Sequence, residues 1–323
     1  MINIQVAMTE RCNLKCIQCE LWKNKNLPKE LTKEEWMGII LCLKEWIGGP
    51  YDLNFGGGEP FIRKDFVEII KFCAGEGIRT RVVTNATLLD ENIIEVLSKI
   101  DTLTLNISLD GISPDTHDYS RGKGAYQKLI DVLCSFKAKY RKCHIGITTI
   151  LMRNNFMEVL DILNKLVIKD KLVDGHVLQA LWVPDVSGVY SKEWYKKSNL
   201  WPTESEKENL FAVIDKLLEL KKGGAPIWNS IEQLKFFKIY FSRLEEFISI
   251  LPCDIGNRNF IINTRGEVLL CWNLDPIGDI LKENPEVVWN STLADERRKE
   301  IRVCNKACRI LNCNYNFEDS FKL

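Results

Sequence analysis

The chain has 323 residues, 46% apolar and 27% charged, with Lys plus Arg and Asp plus Glu equal at 44 each. This is the balance of a folded domain, and a net charge of zero sets up no field to gather nucleic acid or anionic lipid. No run reaches the roughly 18 uninterrupted apolar residues that a membrane span needs; the best stretch, Trp36 to Trp46, is broken by Lys44 and Glu45. The opening MINIQVAMTERC has no basic segment followed by a long apolar core, so no secretory signal is read and a cytoplasmic protein is expected.

From residue 3 to about 180, strand-like and helix-like segments alternate. Ile2–Met8 reads as a strand; Leu31–Trp46 has helical periodicity behind Thr32, with Glu35 at the capping-box spacing. Tyr51–Phe55 is strand-like and Lys64–Gly75 helical. Arg79–Thr84, Thr102–Ser108 and His144–Leu151 are β-branched strands, separated by helical runs at Asp90–Lys99 and Tyr126–Tyr140. A further helix is expected over Asn155–Ile168 and a sixth strand over Leu172–Leu181. Alternating βα units imply parallel strands with helices packed outside, and six of them make an incomplete barrel.

After Trp182 the pattern stops. Pro184 to Pro202 reads as an irregular, aromatic-rich connection, followed by helices at Glu204–Lys222, ended by Gly223–Gly224, and at Ile231–Ile250. Phe260–Ile262 and Val268–Cys271 flank Asn263-Thr-Arg-Gly266 as a hairpin.

Twelve cysteines punctuate this plan. In a reducing compartment, cysteines that cluster point to metal before disulfide. Cys12, Cys16 and Cys19 lie in the loop straight after the first strand, and Cys253, Cys271, Cys304, Cys308 and Cys313 in the last quarter. Cys42, Cys73, Cys134 and Cys143, scattered in apolar stretches, are expected to be small buried hydrophobes. The first group has the spacing C-x3-C-x2-C. Three thiolates can hold three corners of a 4Fe–4S cluster and leave one iron open. Zinc is the rival; it wants four protein ligands, and His117 is remote in sequence.

This spacing, with Phe55-Gly56-Gly57-Gly58-Glu59-Pro60 after the second strand, resembles the radical S-adenosylmethionine (SAM) superfamily. Asn106-Ile-Ser108-Leu-Asp110-Gly111 and His117-Asp-Tyr-Ser-Arg121-Gly-Lys-Gly124 resemble two further stretches of it. The resemblance implies a partial (β/α)6 TIM-like barrel over residues 1–200, a helical connection over 201–250 and a small C-terminal α+β auxiliary iron–sulfur unit over 251–323. It implies a 4Fe–4S cluster on Cys12, Cys16 and Cys19, and SAM held by Gly57, Gly58, Glu59, Asn85, Ser108 and Arg121, with Gln179 a looser candidate. Glycines would let the main chain approach the ligand, Glu59 and nearby carbonyls would receive its ammonium, and Arg121 would pair with its carboxylate. Many members place an aromatic residue before the third cysteine to cover the adenine; Ile17 and Gln18 stand there instead, and Trp22 is the substitute candidate.

The late cysteines resemble the truncated, twitch-like form of the family's SPASM region. Five cysteines imply one auxiliary 4Fe–4S cluster, with Cys253 and Cys271 as its firmest ligands and the choice among Cys304, Cys308 and Cys313 open; a four-thiolate zinc knuckle is the other reading. The implied activity is reductive cleavage of SAM to a 5′-deoxyadenosyl radical that takes hydrogen from a substrate carbon, fed by an external one-electron donor such as flavodoxin or ferredoxin. A ribosomally made peptide is the expected substrate, a small molecule such as a sugar alcohol the alternative; neither nucleic acid nor membrane is an expected partner. A metal-stabilised binding or electron-transfer protein is the reading outside this class. Only eleven residues precede Cys12, so no leader-binding domain is expected ahead of it. Asp185, Tyr190 and Cys143 are candidate proton or hydrogen donors.

Overall fold

The computed structural model describes residues 2–182, 193–250, 253–306, 308 and 310–313. The apolar and β-branched runs form strands β1 (Asn3–Thr9), β2 (Asp52–Gly57), β3 (Arg79–Thr84), β4 (Leu103–Ser108), β5 (His144–Leu151) and β6 (Gly175–Ala180). Each pairs in parallel with the next. Helices α1 (Lys33–Ile47), α2 (Phe66–Gly75), α3 (Glu91–Leu97), α4 (Pro114–Arg121) and α5 (Ala125–Ala138) carry the chain back between strands. The result is an α/β fold, a partial barrel of six βα units.

Local chemistry sets the helix ends. Thr32 and Glu35 form the expected capping box, and Gly48 closes α1 at φ 65°. The sequence reading left α4 out. Its start signal was present, since Ser113 accepts from Thr116 N and Pro114 occupies the first turn.

Two predicted helices are broken. The expected Asn155–Ile168 helix is a 3-10 turn (Phe156–Glu158), a short α6 (Val159–Ile162) and a π-helical stretch (Leu163–Lys169). Lys171, at φ 48°, reverses the chain into β6 where a glycine would be expected. The short α7 (Trp194–Lys197) and α8 (Lys207–Lys222) come next, and the expected Ile231–Ile250 helix divides at Arg243 into α9 (Ile231–Ser242) and α10 (Leu244–Ile250). Aromatic packing accounts for that break: the rings of Phe236 and Phe247 lie 6.0 Å apart, whereas eleven residues of straight helix would separate them by roughly 16 Å.

At the C-terminus, β7 (Asn259–Ile262) and β8 (Glu267–Leu269) form the hairpin, β9 (Gly278–Asp279) adds to it, and α11 (Pro285–Trp289), α12 (Thr292–Arg302) and α13 (Ile310–Cys313) follow. β7 pairs in parallel with β1, so one sheet runs β6-β5-β4-β3-β2-β1-β7-β8-β9 through both halves of the molecule. Register then assigns the faces. Val82, Leu105 and Ile145 are buried under helices, whereas Val83, Asn106, Gly146 and Gly175 share the opposite, inner face, as do Ser108, Thr148 and Val177 one pleat on. The Trp228 indole floors that face at its N-terminal end; a Cβ at Gly146 or at Gly175 would come within 2.1 Å of it. Among the described residues no helix is long and apolar enough to cross a membrane.

Candidate active site

The loop bearing Cys12, Cys16 and Cys19 leaves the C-terminal end of β1, the end at which parallel barrels build their sites. The turn after β2 fixes its beginning: Gly58 N donates to Thr9 O at 2.7 Å and Glu59 N to Arg11 O at 2.8 Å. A Cβ on Gly58 would lie 2.0 Å from Arg11 O, and one on Gly57, at φ 105°, 2.4 Å from Thr9 O. These glycines therefore let two loop backbones touch. The close approach their sequence suggested is made to the segment that launches the cysteines.

Glu59 is buried and turned toward β3. Its carboxylate accepts from Phe61 N (3.1 Å), Thr84 Oγ1 (2.8 Å) and Asn85 N (2.8 Å). Burial pushes its pKa up, and those donors and Arg121 pull against the rise. Asn85 Nδ2 donates to Asn13 Oδ1 at 3.0 Å, tying the end of β3 to the cysteine loop. The next residue, Ala86, sits fully buried at φ 62°, a conformation that costs about 1–3 kcal/mol and persists because the surrounding structure imposes it.

The loop after β4 grips the middle of the cysteine segment. Asp110, with no exposed surface, accepts from Arg121 Nε (2.7 Å) and Gln18 Nε2 (2.8 Å) on one oxygen and from Ile150 N (3.1 Å) on the other. Arg121 Nη1 stands 4.0 Å from Cys16 Sγ, and Ile17 N donates to Ser120 O at 3.0 Å. His117 Nδ1 accepts from Asp110 N at 3.1 Å. Burial, then Arg121, pulls His117 down to about 4, so it is neutral. Asp110 and Gln18 escaped the sequence reading as site residues; an acid at the end of a strand, eleven positions before an arginine, has no periodic signature. Ser108 is buried on the inner face, with Gln179 on the same face two strands away, beside Ile150.

The three thiols share one electrostatic neighbourhood. Burial pushes Cys16 up to about 11 against the pull of Arg121, and Cys12 also rises by burial. Cys12 and Cys19 both act on Cys16, and Cys19 acts on Cys12. Trp22 Nε1 donates to Cys16 O at 3.2 Å, and the ammonium groups of Lys15 and Lys23 lie 5.8 Å from its ring. At the other end of the chain, Cys253 and Cys271 rise by burial to about 11 and about 12, and both respond to Cys304 and Cys308. Four late thiols thus form one group; the Cys313 side chain lies outside the described residues. Among the described residues no three His, Cys, Asp or Glu groups converge tightly enough to hold a single ion.

Of the scattered cysteines, Cys73 and Cys143 are buried as expected, but Cys42 and Cys134 are exposed. They fall on the outward stripes of α1 and α5, beside the buried positions Leu43 and Leu133. Cys143 immediately precedes β5, at the opposite end of the parallel sheet from the cysteine loop, which removes it as a hydrogen donor. Asp185 and Tyr190 lie outside the described residues.

The donor set fits an iron–sulfur cluster. Three soft thiols of one loop lie within electrostatic reach of one another, a buried guanidinium stands beside one of them, and the loop leaves the same end of the sheet as the inner face's Ser108 and Thr148. Fold and site together define a cysteine-ligated α/β barrel enzyme class. Residues 6–166 match the radical SAM superfamily, and the chain belongs to it; members of this family use a 4Fe–4S cluster and SAM.

The chain is 40% identical over 121 residues to the Fe-coproporphyrin III synthase of Methanosarcina barkeri, an alignment covering 37% of this chain and only 30% of that relative. It is 27% identical over 322 residues to the AdoMet-dependent heme synthase of the same organism, covering 95% and 87%. With the PqqA peptide cyclase of Bradyrhizobium diazoefficiens it is 26% identical over 304 residues, covering 88% and 71%. The crystal structure of Streptococcus suis SuiB bound to S-adenosylmethionine has the same fold, with a TM-score of 0.69 at 15% identity over 91% of this chain and 67% of that one.

Proposed function

We propose that the protein is a two-cluster radical SAM enzyme that modifies a ribosomally synthesised peptide. The observation carrying this reading is the similarity to PqqA peptide cyclase, which spans 88% of the chain and so reaches past the barrel to Cys253 and Cys271. When bound, the loop cluster and SAM supply a 5′-deoxyadenosyl radical that takes hydrogen from a substrate carbon.

In this reading Cys12, Cys16 and Cys19 hold the cluster. The carbonyls around Gly57 and Gly58, with Glu59, receive the SAM ammonium; Glu59 has three of its about four acceptor positions filled by this chain. Asn85, Ser108 and Gln179 face the ribose and nucleoside from the inner wall. Arg121, anchored by Asp110, offers its outer nitrogens to the carboxylate end of SAM. Residues 251–323 form the auxiliary-cluster region, with Cys253, Cys271, Cys304 and Cys308 as ligands and Cys313 as the alternate to Cys304 or Cys308. We place the enzyme in the cytoplasm, where thiols stay reduced, and assign its electrons to an external donor such as flavodoxin or ferredoxin.

A second reading is favoured by one observation: the similarity to AdoMet-dependent heme synthase covers 95% of the chain. A haem precursor would then replace the peptide. Reduced, iron-reconstituted protein supplied with SAM separates the two. Deuterium carried from a labelled precursor peptide into 5′-deoxyadenosine supports the peptide reading. Transfer from a labelled haem precursor alone overturns it, and no 5′-deoxyadenosine under any condition overturns both.

A further inference from the structure

The partial barrel stops at the outer edge of β6, and there the chain closes its own ladder. A strand edge leaves backbone N–H and C=O groups to be satisfied. His176 N donates to Pro226 O at 2.9 Å, and His176 O accepts from Trp228 N at 2.8 Å. Two residues on, Leu178 N donates to Asn229 Oδ1 at 2.7 Å, and Leu178 O accepts from Asn229 Nδ2 at 2.8 Å. Two residues further, Ala180 N donates to Asn312 Oδ1 and Ala180 O accepts from Asn312 Nδ2, both at 3.0 Å. A carboxamide presents a donor beside an acceptor as a strand does. Two asparagine side chains therefore continue the ladder where the backbone of 226–228 leaves it.

These last two rungs differ in what they carry. Asn229 precedes α9 and has no cysteine near it in sequence, whereas Asn312 lies between Cys308 and Cys313. The cysteine segment is gripped twice more: Gln233 Nε2 donates to Leu311 O at 3.1 Å, and Tyr240 Oη lies 3.4 Å from Cys308 O and 2.8 Å from Leu181 O. Cys308 in turn acts on Cys253 and Cys271.

We propose that Asn312 is a positioning residue: it registers the segment 308–313 against β6, so that occupancy of the auxiliary cluster and closure of the barrel edge at Ala180 are linked. The proposal rests on the auxiliary-cluster reading above. Linkage makes the effect reciprocal: whatever the Asn312 bonds contribute to cluster retention, a bound cluster returns to those bonds. An asparagine that merely covered a strand edge would show no such exchange.

Two measurements decide it. In the full chain carrying Cys12→Ala, Cys16→Ala and Cys19→Ala, bound iron reports the auxiliary site alone. Asn312→Asp keeps the shape but turns an acceptor toward Ala180 O, and is expected to release that iron to a chelator roughly tenfold faster. If the triple variant holds no iron, the auxiliary-cluster reading fails; if it holds iron and N312D releases it at the parent rate, the linkage fails. In the two-cluster holoenzyme, which keeps Asn312, Cys271→Ser is expected to speed amide exchange at Ala180 roughly tenfold and leave Leu178 unchanged. Unchanged exchange at Ala180, or equal acceleration at both residues, overturns the proposal.

Discussion

The two cysteine groups are stabilised differently. The first sits on one loop, clamped by backbone bonds from Gly58 and Glu59 and facing a guanidinium that a fully buried carboxylate holds in place. The second is gathered from a loop at Cys253, the end of a hairpin at Cys271 and the segment beyond α12; burial raises Cys253 and Cys271 most, and Cys304 and Cys308 act on both. A buried cation lowers the cost of ionising a neighbouring thiol, whereas thiols surrounded by thiols ionise when a metal takes the proton's place. The first site thus has a buried counter-charge beside one thiol of a single loop ahead of its cluster, whereas the second draws its thiols from three separate segments.

The largest effect should come from the thiols themselves. Cys16→Ala is expected to cut SAM-dependent 5′-deoxyadenosine release by roughly a thousandfold. Cys271→Ala should leave that release standing while product from the substrate disappears. Equal loss of 5′-deoxyadenosine in both would erase the distinction between the groups.

Next comes the buried pair beside the first group. Asp110→Asn leaves Arg121 without its counter-charge and should lower unfolding free energy by about 3–5 kcal/mol. Denaturant titration of Asp110→Leu combined with Arg121→Met should recover much of this, because the orphaned charge is then gone, yet cluster retention should stay impaired. Gly58→Ala, pressing a methyl group onto Arg11 O, is expected to cost about 1–3 kcal/mol, read as a lower denaturation midpoint.

A further effect is one of pH, and it belongs to the barrel, since all three histidines fall within residues 117–176. His176, fully buried with Nε2 2.8 Å from Thr149 Oγ1, is pulled down to about 3 by burial, and His117 to about 4. Both fold neutral. As pH falls below about 6.5 the unfolded chain binds their protons first, so stability is full above that pH and is lost on acidification toward pH 4 and 3. The slope is about 1.4 kcal/mol per pH unit for each histidine. His176→Gln should remove about half of that slope between pH 6.5 and 4.5; an unaltered slope would show that another group governs the acid limb.

What the sequence made legible was local. β3 and β5 fall where β-branched runs place them, and the capping box of α1 is readable from Thr32 and Glu35 alone. The cysteine loop and the glycine turn were legible as motifs, but not the partner of those glycines, because contact between Gly58 and Arg11 depends on two strands lying side by side. The same holds for Asp110, whose role requires Gln18, Arg121 and Ile150 to meet from three elements. Helix breaks were missed for a related reason: the fold of α10 back onto α9 follows from ring packing eleven residues apart, and no periodicity encodes it.

The pairing of β7 with β1 bears on how the sheet is guarded against edge-to-edge association. β1 lies between β2 and β7, so its two hydrogen-bonding edges are filled by segments from opposite ends of the chain. A fragment ending before residue 253 would bare one edge of a strand whose Val6, Ala7 and Met8 are buried in the intact chain. Such fragments should adhere edge to edge and scatter light as they grow. The last seventy residues then serve the barrel as a built-in shield against aggregation, whichever cluster they carry.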